Sequence, residues 1–422
     1  MSAASFCLIK ASQKIIIALM EWLNRILNRF EKKPRRIFLD YASATPVLKE
    51  VGQEMVKYFS RNFYNPSAIY QEALEVKKEV EDYRSRVAGL VGAGKQEIVF
   101  TAGGTESVNL AILGAFEEYS KTAKGKPHII ISAIEHPAVV RAAEEVVRRG
   151  GEMSVVEVDE EGVVSIESLK KLLKKNTFLV SITLANSEIG TVEPVAKIGR
   201  IIKEERKARG AGYPLLHTDA SAAPGFLEVK LEALQCDMLT LDGSKIYGPK
   251  GVGILATRRG VKLHPIIFGG SQERGRRPGT TNPAMIAGIA RALEIAARDR
   301  ESEAKRLESM RQKFIEKVIR ALPHAIINGS SDAHLPNIVS ISIPNTLSEF
   351  LLLKLDKEGV LVSVGTACSF DEKVSGSPII RAIGKPELSE STLRFSFGRG
   401  TSEKELKIAT EIFCREARNL IK

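Results

Sequence analysis

Cysteine is scarce in this 422-residue chain: Cys7, Cys236, Cys368 and Cys414 are its only four, and no two of them form a Cys-x-x-Cys pair. That spacing argues against a disulfide framework and a thiolate metal site, so no metal is expected, and it suits a reducing, cytoplasmic compartment. Tryptophan occurs once and aromatics make up 6% of the chain, with no basic stripe interleaved with them. Nucleic-acid binding is therefore not expected. The net charge of +11 does not contradict this, because residues 1–36 hold eight Lys/Arg against two Glu, so +6 of it sits in that segment. Long apolar runs are missing as well. The run Ile15–Met20 is six residues long, too short for a membrane span or for the apolar centre of a secretory signal. Internal repeats and low-complexity tracts are also absent.

What is present is ordinary for a soluble globular protein: 44% hydrophobic and 27% charged residues. A chain of this length is expected to split into two domains. Residues 1–36 are an amphipathic helical extension, with Ile15, Leu19, Trp22, Ile26 and Phe30 on one face. This face suits an interfacial helix touching a membrane, an organelle presequence, or an extra helix packed on the body or on a dimer mate; a mis-assigned start is the remaining reading. The expected division is then 37–50 as a segment joining the small domain, 51–300 as a large domain, and 301–422 as a small C-terminal domain.

Beyond residue 36, apolar runs at Glu97–Thr101, His128–Ser132, Met153–Val158, Phe178–Ala185, Leu215–Thr218, Met238–Leu241 and Val252–Thr257 read as buried strands. Helical stretches near 105–119, 137–149, 166–175 and 195–208 separate most of the early ones. The alternation predicts an α/β fold with a mostly parallel, seven-stranded sheet covered on both faces. A single long helical pattern from Pro283 to Leu322 is expected to kink or to link the domains. After it, strands at 338–343, 360–364 and 392–397 alternate with helices at 348–358, 378–383 and 403–420, a compact α+β unit.

Three strand ends carry candidate chemistry. Thr-Ala-Gly-Gly-Thr-Glu-Ser at 101–107 is a strand running through two glycines into a helix, a turn that lets backbone N–H groups approach a phosphate. Asp219 ends a buried strand, where open α/β sheets gather ligands, and would need a cationic partner. Lys245 follows another strand among Gly243, Gly248, Pro249 and Gly251. A lone lysine near a loop is usually a solvated charge. A phosphate turn, a carboxylate and an amine at the same sheet end, however, are what pyridoxal 5′-phosphate (PLP) needs: an anion site, a counter-ion for its ring nitrogen and a Schiff-base lysine. Cys368, in a polar stretch rich in Gly and Ser, is a candidate nucleophile, whereas Cys236 and Cys414 have apolar periodic neighbours and read as packing residues. Arg394 alternates with apolar residues in a strand, facing either solvent or a cleft in which its planar fork could hold a carboxylate.

Taken in order, Phe38-Leu-Asp-Tyr-Ala-Ser-Ala-Thr-Pro, Asn65-Pro-Ser, the turn at 101–107, Glu135-His-Pro-Ala-Val, Ala185-Asn-Ser-Glu-Ile-Gly, Ser244-Lys-Ile-Tyr-Gly-Pro-Lys-Gly, the run from Gly269 to Thr280, and Gly365-Thr-Ala-Cys resemble the NifS/IscS-like cysteine desulfurases over about nine-tenths of the chain. The resemblance implies a fold type I PLP-dependent transferase, acting as a homodimer. It also implies conversion of L-cysteine to L-alanine with the sulfur left as a persulfide, handed to an acceptor protein for iron–sulfur cluster assembly or tRNA thiolation. Residue by residue it implies that Lys245 forms the Schiff base and moves the substrate proton. His136 stacks on the ring, and Asp219 pairs with its nitrogen. Asn186 lies beside the ring oxygen and the substrate. Gly104 and Thr105 hold the phosphate, joined by Thr280 of the other subunit, and Ser244, although it departs from the family pattern, can still donate to it. Arg394 grips the substrate carboxylate and Cys368 attacks the substrate sulfur.

The chain departs from the family pattern at four positions: Ser244 stands where His is usual, Asp242 where Ser is usual, Ala222 where Gln is usual and Tyr70 where His is common. Asp242 near a phosphate dianion would repel it unless turned away or paired with a base. Other readings keep PLP but change the substrate, as in selenocysteine lyase or another lyase or aminotransferase. A further one is a non-catalytic sulfur-carrier or interaction scaffold.

Overall fold

In a computed structural model of the protein, the structure describes residues 36–123, 125–365 and 375–421. Cys7, Cys368 and the apolar face from Ile15 to Phe30 lie outside the described residues.

The strands are β1 (Ile37–Phe38), β2 (Ile98–Thr101), β3 (His128–Ser132), β4 (Glu152–Val156), β5 (Thr177–Ser181), β6 (Leu215–Asp219), β7 (Met238–Asp242), β8 (Gly253–Thr257), β9 (Ile326–Asn328), β10 (Ile338–Ser342), β11 (Val360–Leu361), β12 (Ser363–Val364) and β13 (Thr392–Ser396). The helices are α1 (Lys49–Ser60), α2 (Gln71–Val91), α3 (Gly104–Ser120), α4 (Pro137–Arg148), α5 (Ile166–Leu172), α6 (Val195–Arg209), α7 (Leu231–Leu234), α8 (Pro283–Ala321), α9 (Ser348–Lys357), α10 (Pro378–Ala382) and α11 (Glu403–Ile421).

All seven strands expected from the first half of the chain form one sheet in the order β2-β8-β7-β6-β5-β3-β4. Its pairings are parallel except where β8 meets β2 and β7, so β8 alone runs against the rest. The strands read as continuous apolar runs because both faces are covered, and side chains alternate between two cores. Ile98, Phe100, Ile130, Leu239 and Leu241 join α1, α2, α6 and the first half of α8 on one face. Val99, Ile129, Ile131 and Met238 pack with α3 and α4 on the other.

Helix α8 is a single 39-residue helix, opened by Pro283 at its first position and by the Asn282 side chain, which accepts the Met285 N–H at 3.2 Å. It takes the linking option of the two expected for it. Ile286, Ile289 and Leu293 sit in the first core, while Leu307, Met310, Phe314 and Val318 enter a second core with Phe395, Phe397 and Phe413. That second core covers a four-stranded sheet of order β12-β13-β10-β9. The apolar run at 360–364 divides into β11, which pairs in parallel with β1, and β12, which pairs with β13.

Residues 37–48 tie the two sheets together. β1 pairs with β11, and Asp40 bridges to Ser396. A few residues later Thr45 donates its N–H and Oγ1–H to the Ser244 carbonyl at 2.9 and 2.8 Å. The loop from Gly269 to Thr280 is held differently, by a buried ion pair. Arg84 makes two parallel bonds to Glu273, at 2.6 and 2.8 Å, and Glu273 also accepts the Phe100 N–H at 3.0 Å. Glu273 and Arg274 adopt left-handed φ values of 48° and 59°, a conformation this anchored carboxylate holds in place. Removing one member of a buried pair leaves the other charge uncompensated. Arg84→Ala is therefore expected to destabilise the protein by about 3–5 kcal/mol, read as a lower denaturant midpoint; an unchanged midpoint would show that the pair contributes nothing.

Candidate active site

The C-terminal ends of β2, β3, β6 and β7 point the same way, which brings together residues that are far apart in sequence. β2 leads through Gly103 (φ 153°) into α3. β3 leads to Glu135 and His136, β6 ends on Asp219, and β7 ends on Asp242 just before Lys245. His136, Asp219, Asp242 and Lys245 thus stand at one edge of the sheet, and the charges of the last three act on the His136 ring.

His136 caps α4. Its Nδ1 accepts the Ala138 N–H at 3.1 Å, which leaves the proton of the neutral ring on Nε2. His136 is solvent-accessible at this strand end, yet the protein around the ring desolvates it enough to lower its pKa. A neutral, oriented imidazole with an open face suits stacking on a flat cofactor.

Beneath it Glu135 is buried. Its Oε1 accepts from Ser132 Oγ and, at 2.8 Å, from the Thr183 N–H, while Oε2 has no hydrogen-bond partner among the described residues. Burial pushes the pKa of Glu135 up to about 8, and that of Glu193 likewise to about 8. Both groups therefore hold a proton in the folded state that the unfolded chain releases near the ordinary value of 4.5. Their contribution is full below that value and is lost as pH rises through about 8. The melting temperature is expected to fall across this window, and Glu135→Gln should flatten the slope; an equally steep slope in the variant would exclude Glu135 as a source.

Asp219 Oδ1 accepts the N–H and Oγ–H of Ser221 at 3.0 and 2.6 Å, fixing the carboxylate at the strand end. Lys245 Nζ donates to the Ala42 and Ser43 carbonyls at 2.9 and 2.6 Å. Arg394 is buried in β13. Its Nη2 donates to Asp40 Oδ1 at 2.7 Å and to Ser43 Oγ at 2.6 Å, and its Nη1 donates to the Ser187 carbonyl at 3.1 Å. Its Nε is buried without a partner among the described residues. Arg394 thus faces inward rather than to solvent, and residues 40–43 join it to Lys245. Asn186 is locked by the backbone: Nδ2 donates to the Ile134 carbonyl at 2.9 Å, and Oδ1 accepts the N–H groups of Glu188 and Ile189 at 2.8 and 2.9 Å.

Gly104 is buried and Thr105 exposed at the start of α3; Thr280 is exposed beyond the 269–279 loop. The donors at the α3 N-terminus meet Asp242. Its Oδ2 accepts the Gly104 N–H at 2.8 Å, and its Oδ1 accepts the Ser244 N–H and Oγ–H at 2.7 and 2.6 Å.

Cys368 lies outside the described residues, but both flanks are fixed. Ser363 pairs with Arg394 across β12 and β13. A side chain at Gly365 would come within 2.1 Å of Glu188, and Ser377 Oγ donates to the same carboxyl. Glu188 is buried, and burial raises its pKa. Cys236 and Cys414 are buried, as their periodicity predicts, and burial pushes the Cys236 thiol up to about 12. Neither is a thiolate at neutral pH.

Asp40 and Glu188 were not singled out from the sequence, although both lie inside the motifs at 38–46 and 185–190. The available signal was a charged residue within an otherwise apolar or small-residue motif.

A lysine amine, a carboxylate at a strand end and an open imidazole face fit PLP. The anion cradle at α3 fits less simply, because Asp242 already takes its donors. Among the described residues, no helix is long and apolar enough to cross a membrane.

Residues 37–408 match the aminotransferase class-V family. The chain is 40% identical over 383 residues to cysteine desulfurase IscS of Dictyoglomus turgidum, covering 90% of this chain and 94% of that one. It is 36% identical to cysteine desulfurase IscS 1 of Archaeoglobus fulgidus, covering 89% and 95%. Among solved structures, a NifS-like protein superposes with a TM-score of 0.83 at 33% identity, covering 90% of this chain and 98% of that one. SspA in complex with cysteine superposes with a TM-score of 0.73 at 32% identity, covering 85% and 98%. With the fold and most of its length shared with these proteins, the chain belongs to the aminotransferase class-V family, and within it to the IscS/NifS-like cysteine desulfurases.

Proposed function

We propose that this protein is a PLP-dependent cysteine desulfurase that converts L-cysteine to L-alanine and receives the sulfur on Cys368. The observation that carries this reading is the convergence of Lys245, Asp219, His136 and Arg394 on one cleft, in a chain whose cysteine desulfurase relatives match it over nine-tenths of its length. PLP, when bound, supplies an electron sink for carbanion chemistry at the amino acid's α-carbon.

The chain's own groups divide the remaining work. Arg394 offers its planar fork to the substrate carboxylate, and Asp40 and Ser43 hold that fork in one orientation. Asp219 keeps a proton on the ring nitrogen, and Ser221 aligns its carboxylate. His136 stacks on the ring, with Asn186 beside the ring oxygen and the substrate. Gly104, Thr105 and Ser244 face the phosphate, with Thr280 contributed by a second subunit. Lys245 anchors the cofactor and moves the proton at the substrate α-carbon. The Cys368 thiolate attacks the substrate sulfur. A sulfur–sulfur bond forms and the Cβ–sulfur bond breaks; Cβ keeps the electron pair and takes a proton to become the alanine methyl.

Exposed apolar side chains on and around α1 and α2, namely Phe59, Phe63, Ile69 and Leu74, together with Phe268, support a face for a second copy of the chain. We assign the released sulfur to an acceptor protein serving iron–sulfur cluster assembly or tRNA thiolation in the cytoplasm. The test is incubation of purified protein with L-cysteine and a thiol reductant, with alanine and sulfide measured together. Equal release of both supports the reading; no alanine from a PLP-loaded protein would end it.

A further inference from the structure

At the head of α3 the Gly104 N–H is already taken by an anion that belongs to the chain. Asp242 sits at the end of β7, and its carboxylate bridges two elements that are far apart in sequence. Oδ1 takes the N–H and hydroxyl of Ser244, which open the turn leading to Lys245, and Oδ2 reaches across to the Gly104 N–H at 2.8 Å. The approach is close: a Cβ added to Gly104 would lie 3.1 Å from Oδ2 and 3.3 Å from the Asp242 Cβ. The glycine at the start of α3 therefore accommodates the carboxylate in the way a glycine at such a position would accommodate a phosphate. Gly104 and Ser244 are also two of the groups that would face the phosphate of PLP.

Both anions cannot use these donors at once. A phosphate monoester carries about −1.5 to −2 charges at neutral pH. A carboxylate a few ångströms from it repels it strongly, because like charges at that separation are poorly screened at a partly buried site. The side chains in contact with this cradle are serines: Ser244 on one side, and on the other Ser221, whose Oγ would lie 3.3 Å from that Gly104 Cβ but donates to Asp219.

We propose that Asp242 is an internal competitor for the cofactor's phosphate: its carboxylate occupies the anion cradle at the head of α3, and PLP binds only by displacing it. This rests on the reading of the cleft as a PLP site. One consequence is that the phosphate contributes little to net affinity here, and that retention depends on Lys245 and on the ring contacts of Asp219 and His136. A second is that the cofactor-free protein gains stability from the same carboxylate, through the three hydrogen bonds it accepts.

The two consequences have opposite signs in one variant, which separates this role from simple structural support. Cofactor-free full-length protein is titrated with PLP and, separately, with pyridoxal, which lacks the phosphate; the visible band of the lysine adduct reports both. In Asp242→Ser the ratio of the pyridoxal Kd to the PLP Kd is expected to rise about ten-fold or more. The cofactor-free Tm is expected to fall by about 1–3 °C as the cap is lost. Asp242→Asn keeps the shape, removes the charge and should raise the ratio in the same direction, so the test survives if the serine variant does not fold. An unchanged or lower ratio in the folded variants, with the band present, overturns the competitor role and leaves the PLP reading intact. Absence of the band with either ligand in every protein, wild type included, overturns the PLP reading itself.

Discussion

Lys245→Ala is expected to remove the visible absorbance of the purified protein and to lower alanine formation from L-cysteine by about four orders of magnitude. That is the scale on which loss of a group that both anchors a covalent cofactor and exchanges protons is felt. The expectation is local, because Nζ donates to backbone carbonyl oxygens, those of Ala42 and Ser43, at 2.9 and 2.6 Å. The variant leaves these two acceptors to water or to each other's neighbours and should fold, with a stability loss of about 1–3 kcal/mol. Lys250 is the natural control. It lies five residues on in the same glycine-rich stretch and donates to the Thr45 carbonyl at 3.0 Å, so it resembles Lys245 in sequence and in bonding. Lys250→Ala should keep the band. If Lys245→Ala kept it and Lys250→Ala lost it, the assignment of the Schiff-base lysine would be wrong.

The contrast between these lysines shows what the sequence could and could not convey. Buried parallel strands are legible because both faces are apolar, and each of the seven runs became a strand of the large sheet within a few residues of its expected ends. The run at 360–364 was less legible. Val362 separates two short strands that pair with partners more than 300 residues and about 30 residues away, β1 and β13, and no local pattern specifies such partners. Helices α1 and α2 and strand β9 were less legible too, since the two helices precede the strand–helix alternation that begins at β2 and β9 is only three residues long. In the site, Asp219 and Lys245 were candidates from position alone, at or just after a strand end where an α/β sheet collects ligands, whereas His136 entered only through the family resemblance. Asp40 was not a candidate, because its meaning lies in Arg394, 354 residues away, and the contact exists only once the chain after β1 bridges to β13 at Ser396. Asp242 was intermediate. Its presence was visible as a departure from the family pattern, but whether it turned toward the cradle or away depended on the backbone at the end of β7, where it caps the turn to Lys245.

Cys368→Ser is expected to keep the visible band and abolish sulfur transfer, lowering alanine formation by about three orders of magnitude or more, because a hydroxyl is a far poorer nucleophile toward sulfur than a thiolate. The described flanks of residues 366–374 support this assignment over the other cysteines. β12 leaves the sheet beside the Arg394 rung, and Gly365 and Ser377 both contact the buried Glu188, which itself senses the Arg394 charge. The covalent chain alone keeps position 368 within about 14 Å of Val364, four residues earlier, and so within reach of a substrate whose carboxylate rests on Arg394. Cys236 and Cys414 offer no alternative, because both are buried and burial raises both thiols above their ordinary values. The informative measurement pairs the spectrum with a persulfide assay. Wild type mixed with one equivalent of L-cysteine should yield one alanine and one cyanide-labile sulfur per active site, and Cys368→Ser should yield neither while its band still responds to the added amino acid. Full sulfur transfer by Cys368→Ser would move the nucleophile elsewhere and leave the lysine, aspartate and arginine assignments standing.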